Sequence, residues 1–452
     1  MTDGLLALGL VLTTATQWRL AGLPLGIGEI CLVVWLGLMS CACLQARRTS
    51  IGPALSRLLL FWGPFVISLS IGTINGLAIG ERYDPKWFLH DTFAYPLIAA
   101  VCCFSVIEPG AYSRLHRTAW IFLVLSGISL TVLLLSGTLL RLPGVDPWFW
   151  DRFRGWSQNP GQLAELSLVA TLVGLYLADV ATKARSRFIA ILLMIPVIWA
   201  GRITQTDAYT YGVTLAFLLF LGVKLFEWAI TPGPRASLAF LTLFALPVLV
   251  ASAVPVMISA VSGGDVVAVL SKNGGKEAQS EADLRFTLWG EALTRGIEVG
   301  VLGLGPGPHL PIPAELAAAR AAYGINERPT DVSHPQQGAA NNFEAHNTVL
   351  DLFVQGGLIA VMAYVWVMVC ALMCALRSRS AGLVALICGL NLFALAAFAI
   401  RLPLFWLAVE LCLVARREAP ASWRSQRENN AREDDLAPQR LFAVRDRQGM
   451  NQ

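Results

Sequence analysis

Charged side chains are scarce in this sequence. Asp, Glu, Lys and Arg together make up 14% of its 452 residues, whereas soluble domains average about 25%. Hydrophobic residues make up 56%, and the mean hydropathy is +0.60. So few charges exclude an ordinary soluble domain and predict an integral membrane protein. The net charge of +4 is too small to indicate a nucleic-acid partner.

Cysteine is absent from the long polar segments. All nine cysteines lie in apolar runs, so the sequence predicts no disulfide framework. Two pairs, Cys41 with Cys43 and Cys370 with Cys374, have spacings that suggest metal ligands, but no histidine or carboxylate is near either pair. We therefore expect no metal site.

Apolar segments long enough to cross about 30 Å of hydrocarbon recur along the chain. We assign twelve of them, at 4–17, 26–45, 55–79, 89–107, 117–140, 160–180, 187–201, 208–231, 236–261, 347–376, 380–398 and 402–417. They predict an all-α polytopic membrane protein with one large periplasmic loop between helices 9 and 10. The predicted organisation is nine transmembrane helices over 1–261, the loop over 262–345, three more helices over 346–417 and a disordered cytoplasmic tail over 418–452.

Lysine and arginine collect at alternate turns between these segments. They lie beside the second, fourth, sixth, eighth, tenth and twelfth segments: Arg47, Arg48, Arg57, Arg114, Arg117, Lys183, Arg185, Arg187, Lys224, Arg235, Arg377, Arg379, Arg416 and Arg417. Because basic residues favour the cytoplasmic side, both termini are predicted to be cytoplasmic and the loop 262–345 periplasmic.

A polar run that contains His346 leads directly into the tenth segment. His346 is therefore expected at the mouth of a membrane helix, where water meets lipid. Asp351 and Gln355 lie four residues apart, on one face of that helix. Polar groups at this depth are expected to point into a protein-lined cavity rather than into lipid. The alternative is that His346 is only an interfacial helix cap.

Two arginines are expected on the same outer side as His346. Arg202 lies at the outer end of the seventh segment, and Arg285 lies in the large loop. An arginine can bind phosphate oxygens with two parallel hydrogen bonds, and a histidine can exchange a proton near neutral pH. The three residues would suit a lipid pyrophosphate and an attacking hydroxyl. The alternatives are a snorkelling Arg202 and an Arg285 paired with a surface carboxylate.

The outer loop 141–159 carries Arg141, Arg152 and Arg154 among aromatic residues, on the side where basic residues are usually sparse. Such a mixture can form a platform for sugar rings and phosphate. It can also be an aromatic belt with snorkelling arginines.

Four landmarks between residues 150 and 360 occur in an order that points to a known family. They are Gly155-Trp156-Ser157-Gln158-Asn159-Pro160, Gly201-Arg202, Leu284-Arg285 through Trp289 with Gly303-Leu304-Gly305-Pro306-Gly307, and Ala345-His346-Asn347-Thr348 with Gly356-Gly357. In these motifs the sequence resembles the O-antigen ligase and polysaccharide polymerase superfamily of bacterial envelope glycosyltransferases.

The resemblance implies a metal-independent glycosyltransferase of the bacterial inner membrane that uses no cofactor. Its donor would be a glycan on undecaprenyl pyrophosphate, and its acceptor a sugar hydroxyl of a glycan or glycolipid at the periplasmic face. His346 would be the general base or the residue that orients the acceptor, and Arg202 and Arg285 would hold the pyrophosphate. The candidate supporting residues are Arg154, Asn159, Asn347 and Asp351. Membrane lipids are the other expected partners, and nucleic acid is not expected.

Polymerase and ligase are both compatible with these motifs. The loop 262–345 holds ten acidic and six basic residues, a net charge of −4. A ligase must dock a phosphate-rich lipid acceptor, so this charge slightly favours a polymerase. The alternative from another class is a transporter or flippase of lipid-linked glycans, because twelve helices with both termini inside is also a transporter layout. A structural assembly subunit is a further alternative, although it would not require Arg202, Arg285 and His346 together.

Overall fold

The computed structural model describes residues 2–18, 26–45, 50–83, 85–138, 144–149, 152–230, 276–311 and 342–415. The helices within these ranges are α1 (Thr2–Leu12), α2 (Ile27–Gln45), α3 (Pro53–Ala78), α4 (Pro85–Ser105), α5 (Ala111–Thr138), α6 (Pro160–Val180), α7 (Ala184–Ile203), α8 (Asp207–Ile230), α9 (Lys276–Glu298), α10 (Thr348–Ser378), α11 (Ala381–Ala394) and α12 (Pro403–Leu413). Two short antiparallel ladders pair β1 (Trp148–Phe149) with β2 (Arg152–Phe153) and β3 (Leu310–Pro311) with β4 (Asn342–Phe343).

Eight of the described helices, α2 to α8 and α10, are long and apolar enough to cross a membrane. The described part of the chain is therefore mostly helical and has the helices of a multi-pass membrane protein, as predicted. Helices α1, α11 and α12 are apolar but have only 11, 14 and 11 residues. The predicted segment 236–261, most of the loop 262–345 and the tail 418–452 lie outside the described residues. The number twelve stays a prediction.

Two of the shortest predicted segments differ from the observed helices. The first, placed at 4–17, is a helix only as far as Leu12. There the hydroxyls of Thr13 and Thr14 donate to the carbonyls three residues before them, which ends the regular α-helical ladder. The seventh, placed at 187–201, is a helix of 20 residues that is long enough to span a membrane.

Helix α6 is the centre of the bundle. Seventeen of its 21 residues are buried, so it is surrounded by other helices rather than by lipid. It packs against α5, α7, α8, α11 and α12, while α3 packs along α10. Helices α8 and α11 approach closely at Gly212 and Gly389, where an added Cβ on Gly212 would lie 3.0 Å from the carbonyl oxygen of Gly389. Only glycine allows the two backbones to come so near.

Contacts between helix termini define the two ends of the bundle. At the first, which we call the His346 end, Thr348 at the start of α10 bonds to Ala397 after α11, and Arg401 pairs with Asp91 on α4. At the other end of the bundle, which we call the opposite end, Lys224 on α8 pairs with Asp179 near the end of α6.

Further bonds extend this assignment. Asp179 also accepts bonds from Ser380 and from the backbone N–H of Gly382 at the start of α11. Helix α6 therefore starts, and α7 ends, at the His346 end. The N-terminal helix begins at the opposite end, where Asp3 pairs with Arg117.

Candidate functional site

The loop before α10 has a backbone conformation that is uncommon for residues with a side chain. His346 has φ of 51°, in the left-handed region. Asn347 caps α10, because its Oδ1 accepts hydrogen bonds from the N–H groups of Val349 and Leu350 at 3.0 and 3.3 Å. The predicted mouth of the tenth segment is thus a capped helix start, with His346 one residue before the cap.

Asp351 holds the same loop from within the first turns of α10. Its carboxylate oxygens accept hydrogen bonds from the N–H groups of Ala345 at 2.8 Å and Asn347 at 3.1 Å. These two N–H groups flank His346, so Asp351 fixes the backbone on both sides of the imidazole. Asn347 and Asp351, predicted as supporting residues, therefore lie beside His346 and contact its loop directly.

The imidazole of His346 is surrounded by charged groups of both signs. Burial lowers its pKa below the ordinary value, and the positive charges of Arg285 and Arg401 lower it further, while Glu344 opposes them. Its ring packs edge-to-face against Phe343, with centroids 5.1 Å apart. A histidine in this environment is neutral near pH 7, so it can accept a proton from a substrate hydroxyl.

Helix α9 brings Arg285 to this loop. Leu288 and Ala292 of α9 belong to a small buried cluster that also contains Ala345 and Val354. Trp289 donates from Nε1 to the carbonyl oxygen of Ala345 at 3.1 Å. Helix α9, which runs over Lys276–Glu298, is therefore attached to the residue before His346. Arg285, 61 positions before His346 in the sequence, therefore lies close enough to lower the pKa of the imidazole.

The glycine–proline run that follows α9 lies against a break in α10. Gly357 has φ of 63°, and an added Cβ there would lie 2.1 Å from the carbonyl oxygen of Val301. The N–H groups of Leu304 and Gly305 donate to the carbonyls of Val354 and Gln355 at 2.8 and 2.7 Å. The run therefore binds the kinked helix through its backbone.

Arg401 is a charged residue of the site that the sequence reasoning missed. It lies between α11 and α12, where its Nη1 pairs with Glu344 and its Nη2 lies 2.9 Å from Oδ2 of Asp91. Its guanidinium also lies 4.5 Å from the ring centroid of Phe398. Asp91 is fully buried and its second oxygen is 3.0 Å from Nδ1 of His90.

Two sequence signals could have indicated this network. Arg401 is an isolated cation at a turn assigned to the outer side, and Asp91 is a carboxylate inside an apolar segment. An arginine at an outer turn is uncommon, and a carboxylate inside an apolar segment usually has a charged or hydrogen-bonding partner. What sequence could not supply is that Arg401 and Asp91 pair with each other.

Gln355, predicted on the same helical face as Asp351, is buried and accepts a hydrogen bond from the hydroxyl of Tyr95 at 3.1 Å. Tyr95 is one turn along α4 from Asp91. Asp351 and Gln355 therefore both face protein, and neither faces lipid.

The other predicted site residues occupy their own local environments. Arg202 ends α7 at the His346 end, is half-buried and donates to Thr210 of α8 at 2.9 Å. Asn159 caps α6 by accepting from the N–H of Gly161 at 2.8 Å. No hydrogen bond or ion pair described for these two residues joins them to the His346 loop.

Arg154 is buried within the outer loop, and its Nη2 pairs with Asp146 at 2.6 Å. Phe153 and Trp156 beside it are also buried. Protein covers these three side chains, so they are not part of an open platform for sugars. Arg141 lies outside the described residues.

Within the described ranges, no group of three or more His, Cys, Asp and Glu residues is arranged to hold a metal ion. Among the described residues near His346 are two arginines, Arg285 and Arg401, and three carboxylates. Asp91 and Glu344 pair with Arg401, and Asp351 binds the loop backbone.

No protein-family model matches the sequence, and no curated protein matches it. The resemblance to O-antigen ligases and polysaccharide polymerases is therefore carried by the motifs alone.

The charges around His346 predict opposite pH effects for two substitutions. Arg285→Gln removes a cation that lowers the pKa of His346, so the acid limb of the rate–pH profile should move to higher pH. Glu344→Gln removes an anion that raises this pKa, so the acid limb should move to lower pH. Arg401, the third charge facing the imidazole, stays in both variants. The profiles of kcat/KM for the two variants measure this, and shifts of the same sign would show that His346 does not define the limb.

Proposed function

We propose that the protein is an inner-membrane glycosyltransferase that moves a glycan from undecaprenyl pyrophosphate to a sugar hydroxyl. One observation carries this proposal above the others: a half-buried histidine held in a left-handed loop at a membrane helix mouth, close enough to Arg285 for that cation to lower the pKa of the imidazole. A neutral base and an adjacent permanent cation are the two groups that transfer from a pyrophosphate donor needs.

The proposed reaction uses these groups in one displacement. The acceptor oxygen forms a bond to the anomeric carbon of the donor glycan while His346 takes the proton of that hydroxyl. The bond between the anomeric carbon and the pyrophosphate oxygen breaks, and the electron pair leaves with undecaprenyl pyrophosphate. Arg285 stabilises the charge that develops on the leaving oxygen, since a guanidinium can donate two parallel hydrogen bonds to phosphate. Arg202 binds the pyrophosphate from the end of α7.

The positioning of His346 is part of the proposed mechanism. Asp351 and Asn347 fix the loop backbone, and Arg401 fixes Glu344 two residues before the histidine. Small displacements of a base lower its efficiency strongly, so these contacts matter to the rate although they do not touch substrate.

The distribution of charge supports a periplasmic active site. At the opposite end the described chain carries nine basic side chains: Arg57, Arg114, Arg117, Lys183, Arg185, Arg187, Lys224, Arg377 and Arg379. The first and last described residues, Thr2 and Ala415, also lie there. Because short cytoplasmic loops are enriched in lysine and arginine, we propose that this end is cytoplasmic and the His346 end periplasmic.

The acidic composition of residues 262–345 favours a polymerase over a ligase. Glycan analysis of a deletion strain separates the two. Single repeats left on the carrier lipid or on the cell surface would identify a polymerase. Long unattached chains on the carrier lipid would identify a ligase.

Replacing Arg285 or Arg202 by alanine is expected to reduce transfer while leaving the protein folded and inserted. Lysine should restore little activity at either position, because an ammonium ion cannot reproduce the planar fork of a guanidinium. Donor turnover by purified variants measures this. Arg152, on β2 at the same end, provides the control, and Arg152→Ala should keep its activity.

Full activity in both alanine variants would contradict pyrophosphate binding and restore the snorkelling and ion-pair explanations for Arg202 and Arg285. Full activity in Arg202→Ala alone would limit the donor site to Arg285.

A further inference from the structure

A second cationic site lies at the opposite end of the bundle, far along the helices from His346. There the ends of α3, α10 and α12 line an open cavity of about 670 Å³. Three arginines line it: Arg57 from the first turns of α3, Arg377 from the last turn of α10, and Arg379 directly after α10. The carboxylate among the lining residues is Glu108, from the turn between α4 and α5.

Within the described residues, no ion pair neutralises the arginines of this cavity. In the described part of the chain, Arg57, Arg377 and Arg379 take part in no salt bridge, whereas Arg117 and Lys224 at the same end are paired with carboxylates. Arg57 donates from Nη1 to the sulfur of Cys374 at 3.1 Å, and a thiol is a weak acceptor for a guanidinium. Three cations that share one cavity repel one another, so an anionic ligand there would lower their electrostatic energy.

Dipole and snorkelling effects explain only part of this arrangement. A cation in the last turn of α10 interacts favourably with the helix dipole, which accounts for Arg377. It does not account for Arg57, which lies near the N-terminus of α3, where the dipole disfavours a positive charge.

The cavity is also continuous with an apolar surface. Its lining includes Leu376, which is 49% exposed and lies near the C-terminal end of α10. Towards the N-terminus of α10, the exposed side chains of Met373 and Val369 follow Leu376 at helical spacing and form an apolar stripe with it. This stripe belongs to a helix that is long enough to span a membrane, so it faces lipid chains.

We propose that this cavity binds the phosphate of an anionic phospholipid, with an acyl chain along the Leu376–Met373–Val369 stripe. The arginines match the headgroup, and the stripe matches the chain that a free phosphate lacks. The site is independent of the proposed transferase function, because none of its residues belongs to the His346 site.

Lipid titration of the full-length protein, purified in neutral detergent and followed by native mass spectrometry, tests the proposal. The probes are phosphatidylglycerol, zwitterionic phosphatidylcholine and inorganic phosphate. Phosphatidylglycerol should bind most tightly. Arg377→Gln and Arg379→Gln should each weaken it by about fivefold, and the double variant by about 25-fold, as expected for cations at a membrane surface.

Arg185→Gln is the matched control, since Arg185 is an exposed arginine at the same end outside the cavity, and it should bind phosphatidylglycerol as the wild type does. Arg377 and Arg379 are both exposed, so replacing them should not disturb folding. If the double variant nevertheless does not fold, the single variants still test the proposal. Equal binding of phosphatidylglycerol by the double variant and the control would overturn the proposal. Equal binding of inorganic phosphate and phosphatidylglycerol would assign the cavity to soluble anions and overturn its lipid part.

Discussion

His346→Ala is expected to lower the rate of glycan transfer by about 10²–10⁴-fold, the contribution typical of a general base. The donor should still bind, because the arginines proposed to contact its pyrophosphate are untouched. The loop should also survive the substitution, since Asn347 and Asp351 hold it through backbone N–H groups. The expected result is therefore a low kcat with a nearly unchanged KM.

Two further variants show whether the loss of rate in His346→Ala reflects proton transfer. His116→Gln is the control, because His116 lies on α5 near the opposite end and should leave transfer unchanged. His346→Gln keeps a hydrogen-bonding side chain but cannot exchange a proton near neutral pH. Full activity of His346→Gln would leave orientation of the acceptor as the role of His346. Full activity of His346→Ala as well would make the residue a helix-mouth residue without catalytic function.

Arg401→Ala is expected to have the largest effect on stability. The substitution leaves Asp91, which is fully buried, and Glu344, which is 19% exposed, without their shared cation. Breaking a buried pair in this way lowers the free energy of unfolding by about 3–5 kcal/mol. It also releases the chain two residues before His346, so the protein that remains folded should transfer glycan slowly.

A comparison of three variants by thermal unfolding in detergent tests the role of Arg401. Arg117→Ala breaks a more exposed pair with Asp3 and should change stability by about 0–1 kcal/mol. Arg401→Met combined with Asp91→Asn and Glu344→Gln removes the charges together and should recover much of the loss. A change in Arg401→Ala no larger than that in Arg117→Ala would show that the buried network does not hold the helix ends together.

The helices were predictable because their signal is local. A run of about 20 apolar residues must cross the hydrocarbon core, and Pro160 after Asn159 marks a helix start within a few letters of sequence. The mouth of α10 was predictable for the same reason. Even the carboxylate of Asp351 could have been assigned to the backbone N–H groups of that mouth, because it is four residues after the cap.

The partners of these residues were not predictable, because they come from distant parts of the chain. Asp91, Glu344 and Arg401 meet only when α4, the loop before α10 and the turn after α11 pack together. Sequence reasoning also treated Arg154 as a candidate surface residue, whereas the fold buries it against Asp146. In each case the charge was visible in the sequence, and its partner was determined by tertiary packing.

The central claim is that this protein transfers a glycan from a lipid pyrophosphate with His346 as the base. Purified protein in liposomes that contain undecaprenyl-pyrophosphate-linked glycan, with a chelator present, measures this most directly through the release of undecaprenyl pyrophosphate and the growth of the glycan. We predict release and growth with the wild-type protein and a loss of about 10²–10⁴-fold with His346→Ala. An intact donor, or movement of the donor between leaflets without cleavage of its glycosidic bond, would contradict the claim and favour a flippase.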